Sequence, residues 1–268
     1  MKNKKFSKSH LDYLKKYHTQ KLLIFITQAM ILVAFVLCWE LLSKHEIISS
    51  FFFSSPSKIA KTLKEMFASG ELVKHSKITL SETLVGFSIA TFTGFCVAFI
   101  LWCSNFLKRV SEPYLVVLNS LPKIALGPII IIWFGAGSKA IIVMCILIVI
   151  IVTILNILNA FTNCDKQLIA MAKSLGANRL QIFVKVVFPS SLKDLVSTLK
   201  INVGLSWIGA IMGEYLVSRA GLGYLLVYGG QVFNLNLVMT STVVLCVLAS
   251  GMYFIVAMFE KLMNKLYQ

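Results

Sequence analysis

The chain has 268 residues, 57% of them hydrophobic, and a formal net charge of +15. A water-soluble domain of this length needs far more polar residues to cover its core, so a soluble globular fold is excluded. The positive charge is no nucleic-acid signature, because the Lys and Arg residues lie between apolar stretches and form no basic domain, and nucleic acid is not an expected partner.

In chain order, residues 1–21 read as a basic cytoplasmic tail, frayed or lying on the membrane surface. The apolar stretch Leu22–Leu42 follows. It is long enough to cross the roughly 30 Å hydrocarbon layer as a helix. A cleaved signal peptide is not expected here, because "VLCWELLSK" offers no small-x-small cleavage site. Five more stretches of span length follow at Val85–Cys103, Tyr114–Phe134, Ala140–Leu158, Leu199–Val217 and Leu237–Phe259. The expected class is therefore an all-α polytopic membrane protein with one transmembrane domain over 22–260 and a short tail, 261–268.

Between the first two spans, "SSPSKIAKTLKEMFASG" reads as a short amphipathic helix. Ser57 is the expected N-cap, Ile59, Leu63, Met66 and Phe67 share a face, and Gly70 is the stop. Lys58, Lys61 and Lys64 form its solvated face or a docking surface for an external partner. The third span contains Pro122, Gly127 and Pro128, each of which weakens a helix, and Lys123 at mid-depth. A kinked helix facing protein or a water-filled path is expected, since a lysine in lipid costs about 2.5–3.5 kcal/mol on insertion scales. The "GAGSK" turn at 135–139 has its glycines too close together for a phosphate-binding loop. In the fifth span, Gly209 and Gly213 form a G-x-x-x-G, and Glu214 is expected to face the bundle. Pro122, Lys123, Trp207 and Glu214 are the candidate path residues, with Lys123 placed to attract an anion or to pair with Glu214. The glycine-rich segment after Glu214 reads as re-entrant or interfacial.

Loop charge sets the orientation. Of the 26 Lys and Arg residues, 17 fall on one side of a six-span chain and 8 on the other, with Lys123 inside a span. Cytoplasmic loops collect Lys and Arg, so both termini are expected in the cytoplasm. The six cysteines contain no Cys-x-x-Cys and read as small packing residues.

The segment between spans four and five differs from the rest. Leu168, Met171, Ala172 and Leu175 share one helical face, and Gly176 is placed as a left-handed C-cap. Asn178 and Gln181 form a capping-box pattern for a second short helix with Leu180, Phe183, Val184 and Val187 as its apolar face, ended or kinked by Pro189. Two short amphipathic helices bury little on each other. They must lie on the membrane, on other loops, or on a cytoplasmic protein.

These residues resemble the cytoplasmic signature of ATP-binding-cassette importer permeases, E-A-A-x3-G-x9-I-x-L-P. Here it is Ala170-Met171-Ala172, Gly176 and Val186-x-Phe188-Pro189, with Ala170 in place of the usual glutamate and Met171 in place of an alanine. "LPKIALGPIIIIWFGAGSKA" (121–140) and "GEYLVSRAGLGYLL" (213–226) resemble blocks of the nitrate/sulfonate/taurine-type permeases, so the resemblance covers roughly residues 55–260. It implies a type I (MetI-like) permease fold in the cell membrane and a coupling loop at 161–192. Within that loop it implies that Ala170, Met171, Ala172, Lys173, Ser174, Leu175, Gly176, Ala177, Phe188 and Pro189 dock a separate ATPase. It further implies two ATPase copies carrying ATP and Mg, a second copy of this chain, an extracytoplasmic substrate-binding protein, and membrane lipids around the bundle. No cofactor is expected on this chain. The family's substrates are small anions such as sulfonates, taurine and nitrate, and also vitamin precursors such as pyrimidines.

Two other classes fit the residues less well. An ion-coupled secondary transporter places several ionisable groups at mid-membrane, where only Lys123 and Glu214 qualify. A membrane enzyme finds no support in His10, His18, His45 and His75, which all precede the second span and form no H-E-x-x-H.

Overall fold

The computed structural model of the chain describes residues 8–46, 49 and 53–266, and every regular element among them is helical. The chain divides into two units, residues 1–62 and 63–268. In the first unit, α1 runs from Lys8 to Lys44. No Gly or Pro interrupts this stretch, so the helix does not stop where the apolar span begins. Residues 8–21, expected as a frayed or surface-lying tail, are the first turns of the same helix. Residues 1–7 and 267–268 of the two tails lie outside the described residues. Near the far end of α1, Glu40 Oε2 accepts the backbone N–H of Ser57 at 3.0 Å.

The amphipathic helix α2 covers Pro56–Ala68. It starts two residues earlier than expected: Ser55 Oγ, not Ser57, accepts the N–H of Lys58 at 3.3 Å. Pro56 suits the first helical position because its missing N–H leaves nothing unpaired there. Ile59 and Met66 are buried and Leu63 half-buried, while Phe67, expected on the same face, is exposed. Gly70, with φ of +78°, ends the turn that follows.

The second unit is built on α3 (Glu71–Cys103), α6 (Ser138–Thr162) and α9 (Phe188–Val217). The middle helix, α6, is flanked by faces that lack side chains. A Cβ at Gly209 would lie 2.6 Å from Cys145 Cα, and one at Gly213 would lie 2.9 Å from Ile141 Cα. On the other flank, a Cβ at Gly86 would lie 2.5 Å from Cys145 Sγ and one at Gly94 would lie 2.7 Å from Thr153 Cγ2. The G-x-x-x-G of the fifth span therefore does what small residues do between membrane helices, admitting a neighbour to backbone contact. Cys145 is fully buried between the two flanks as a packing residue.

The third span is broken. Helix α4 (Asn105–Ser120) meets a 3₁₀ turn (Lys123–Leu126) and α5 (Gly127–Phe134) at a bend of 85°. Leu121 is extended, with φ −67° and ψ 138°, because Pro122 disfavours the helical conformation in the residue before it. The 104–112 stretch between the second and third expected spans is helical from Asn105. Ser104 makes this possible by accepting the Leu107 N–H at 3.3 Å. Among the described residues, five helices are long and apolar enough to cross a membrane, and the bent pair makes a sixth if it is one span.

Beyond α6 come α7 (Lys166–Ser174), the single turn α8 (Arg179–Ile182) and a π turn (Phe183–Val187) leading into α9. The glycine-rich segment forms α10 (Leu222–Gln231), and α11 (Leu235–Leu266) closes the unit. Replacing Gly209 by Leu is expected to push α9 off the Cys145 backbone and destabilise the bundle by about 1–3 kcal/mol or more, read as a lower melting temperature of the purified protein.

Candidate functional site

Two polar constructions stand at opposite ends of α9, which at about 1.5 Å per residue is roughly 45 Å long. The first is the 165–189 segment. Asp165 caps α7, its Oδ1 accepting the Gln167 N–H at 2.8 Å. At the other end, Gly176 adopts φ of +79°, and the N–H groups of Ala177 and Gly176 bond to the carbonyls of Ala172 (3.1 Å) and Lys173 (2.9 Å). That is the Schellman arrangement, and a side chain at Gly176 would oppose it. Asn178 and Gln181 then complete a reciprocal capping box at 2.8 and 2.9 Å.

This segment is anchored on its inner side. The Phe183 ring lies 4.5 Å from Phe99, 5.2 Å from Trp102 and 5.1 Å from Phe161, centroid to centroid. Arg179 Nη1 donates to the carbonyl of Cys103, the last residue of α3, where a cation suits the helix dipole. Leu168, Met171, Leu175, Leu180 and Val184 face outward, with Leu175 80% exposed. The second helix therefore does not present one apolar face: Phe183 and Val187 point into the core, and Leu180 and Val184 point away. Pro189 does not end the helix either. Phe188 N–H reaches back to the Phe183 carbonyl in a π turn, which passes the proline without breaking the rod; residues 179–217 form one helical run.

The second construction is at the far end, where α10 begins. A helix start leaves backbone N–H groups without intrahelical partners, and here three successive ones are met by side chains of other helices. Gly221 N–H donates to His75 Nδ1 at 2.9 Å, Leu222 N–H to Thr79 Oγ1 at 2.8 Å, and Gly223 N–H to Glu214 Oε2 at 2.5 Å. His75 and Thr79 come from α3 and Glu214 from α9. The Glu214 carboxylate fills the space under the turn, so that a Cβ at Gly221 or Gly223 would lie 2.5 or 2.7 Å from it. Tyr224 stacks on His75 with ring centroids 6.2 Å apart.

Residues 86–265 match the family of binding-protein-dependent transport system inner membrane components. The chain belongs to this family. Among curated relatives, the putative aliphatic sulfonates transport permease SsuC of Escherichia coli K12 is 26% identical over 81% of this chain and 82% of its own. The riboflavin transport system permease RibX of Chloroflexus aurantiacus is 29% identical over 80% of each. The fold is also that of a solved chain of the MetNI methionine ABC transporter in an inward-facing conformation. The TM-score is 0.65, with 73% of this chain and 97% of that one covered at 23% identity. The protein is thus a multi-pass inner-membrane permease subunit of an ABC importer. It is a transport component and not an enzyme, and the family implies an ATPase on a separate chain and a substrate-binding protein.

In the permease, Ala170, Met171, Ala172, Lys173, Ser174, Leu175, Gly176 and Ala177 lie together on α7 and its cap, and Phe188 and Pro189 lie in the first turn of α9. Of these, Ala172, Ala177, Phe188 and Pro189 are half-buried and the rest exposed. Trp207 and Glu214, two turns apart on α9, are 4% and 1% exposed. Trp207 also lines a cavity of about 470 Å³ with Tyr215, Leu226, Thr242 and Cys246. Pro122 and Lys123 sit at the break of the third span, where Lys123 Nζ donates to the Asn119 carbonyl at 3.1 Å. The expected pairing of Lys123 with Glu214 is not formed.

His75, Thr79 and Glu82 are not among the residues the sequence places at a site, because they precede Val85, where the apolar window of the second span begins. The available signal was their spacing: His75, Thr79, Glu82, Gly86, Ala90 and Gly94 all fall on the buried face of α3. Replacing Phe183 by Ala is expected to cost about 3–5 kcal/mol and to release the α8 turn from the core, seen as a lower melting temperature and faster hydrogen exchange over 179–187.

Proposed function

We propose that the permease works as a pair of identical copies, each resting its α7–α8 segment on one of two ATPase subunits, with both termini in the cytoplasm. The observation that carries this reading is the outward stripe of Leu168, Met171, Leu175 and Leu180, which ends on the helical run 179–217 that continues into α9. Apolar side chains outside the spans call for a cover, and a partner pressing there moves a rod roughly 58 Å long between residues 179 and 217. The aromatic seat of Phe183 and the Arg179–Cys103 contact turn that push into movement of α3 as well. The charge asymmetry of the loops supports the cytoplasmic placement. With Ala170 where the signature has glutamate, docking rests on apolar contact and shape rather than on that charge.

The proposed cargo is a small anion of the sulfonate, taurine or nitrate type, handed over by the extracytoplasmic binding protein. The likeness to SsuC supports it, as does Lys123, a cation held at the break of the third span. A second reading, a planar vitamin or pyrimidine-type precursor, is favoured by one observation: the cavity beside Trp207 and Tyr215 is lined without a charged side chain, and RibX is similar to this chain.

Two outcomes are expected. Substituting Gly176 by Val forces a β-branched residue into a left-handed conformation costing about 1–2 kcal/mol; co-purification with the ATPase should fall, and unchanged association would contradict the docking role. Lys123→Ala should impair uptake of a labelled alkylsulfonate while ATPase association stays intact. Normal sulfonate uptake by that variant would remove Lys123 from the path, and uptake of a labelled pyrimidine in place of the sulfonate would favour the second reading.

A further inference from the structure

Glu82 on α3 and Glu214 on α9 are 4% and 1% exposed, and their side chains come within hydrogen-bonding reach of each other. Other groups lie against each carboxyl. Gly223 N–H donates to Glu214 Oε2, the Thr79 hydroxyl faces Glu214, and the Ser138 hydroxyl at the start of α6 faces Glu82. Two oxygens remain without any donor, Glu82 Oε2 and Glu214 Oε1.

Among the described residues, no salt bridge reaches the pair. The salt bridge found among the described residues joins Lys200 to Glu260 and involves neither carboxyl. His75 uses Nδ1 to accept from Gly221, Tyr215 lies beside Glu214 on α9, and Lys139 next to Ser138 is exposed. Two ionised carboxylates side by side in so dry a place repel each other, and each keeps an unsatisfied oxygen. A single proton removes both defects. The O–H of one carboxyl donates to the other, both orphan oxygens gain a partner, and one negative charge is left. That charge lies at the start of α10, where the backbone N–H groups and the helix dipole favour it.

We propose that Glu82 and Glu214 hold one proton between Glu82 Oε2 and Glu214 Oε1, and that this acid–carboxylate pair is the latch fastening α10 to α3 and α9. Both are positioning residues: they act on the Gly221–Gly223 turn rather than on a transported molecule. The inference is independent of the substrate and of the docking partner.

Infrared spectroscopy of the purified full-length permease, with and without ¹³C-labelled glutamate, tests it. The wild-type protein should show a carbonyl stretch of a buried, protonated carboxyl that shifts on labelling, and Glu82→Gln should lose it. Glu82→Gln should also keep a near-wild-type melting temperature, because its amide N–H donates in place of the lost O–H, whereas Glu82→Ala should melt lower. Absence of the band in the wild type, its survival in Glu82→Gln, or equal melting of the Gln and Ala variants would overturn the proposal. Should a variant fail to fold, the labelled wild-type spectrum still decides, since every other glutamate is exposed or half-buried.

Discussion

Backbone-to-backbone contact between α9 and α6 at Gly209 and Gly213 is the constraint on which the remaining architecture depends. In lipid there is no water to expel, so two helices stay together through close packing and satisfied polar groups rather than through burial of oil. Glycine at two successive turns lets α9 touch the Cα atoms of Ile141 and Cys145. Once α9 is seated there, the π turn before it sets Phe183 against Phe161 and its last turn carries Glu214 to the start of α10. Helix α3 seats on the other flank through Gly86 and Gly94, which brings Cys103 to Arg179 at one end and His75 and Thr79 to α10 at the other.

That arrangement makes one rod serve two ends. At the 165–189 end the contacts are aromatic and geometric: a Schellman turn, a capping box, and a phenylalanine among three rings. At the far end they are polar, with side chains from two helices supplying the first N–H groups of a third. The contrast follows from what each end must do. A surface that takes the push of the proposed partner has to be stiff and outwardly apolar, and a helix start inside a bundle has to have its backbone donors paired, since an unpaired buried donor costs about 1–3 kcal/mol. The wide π turn before Pro189 keeps the rod continuous where a proline would otherwise break it.

Much of this was legible in the residues. The apolar stretches, the left-handed Gly176, the Asn178–Gln181 box, the G-x-x-x-G contact and the break near Pro122 all follow from local chemistry, and the structure has each of them. Local chemistry was less reliable at boundaries. Helices α1, α3 and α4 each begin before their apolar windows, because helix formation continues through polar residues until a Pro, a Gly or a cap intervenes. The α2 cap moved from Ser57 to Ser55, because Pro56 suits the first helical position, where its missing N–H leaves nothing unpaired.

The sequence by itself determined that this is a multi-span helical membrane protein and that residues 165–189 form a separate hinged unit, because hydropathy, periodicity and capping are properties of neighbouring residues. Only the tertiary structure decided which partners the polar side chains have. Lys123 turned to the Asn119 carbonyl four residues away instead of to Glu214, and Glu214 found Gly223 and Glu82. Leu180 and Phe183, adjacent on one predicted face, were sent to opposite sides. Those outcomes depend on which helix lies alongside, and hydrogen-bond partners 146 residues apart, such as His75 and Gly221, leave no trace in local spacing.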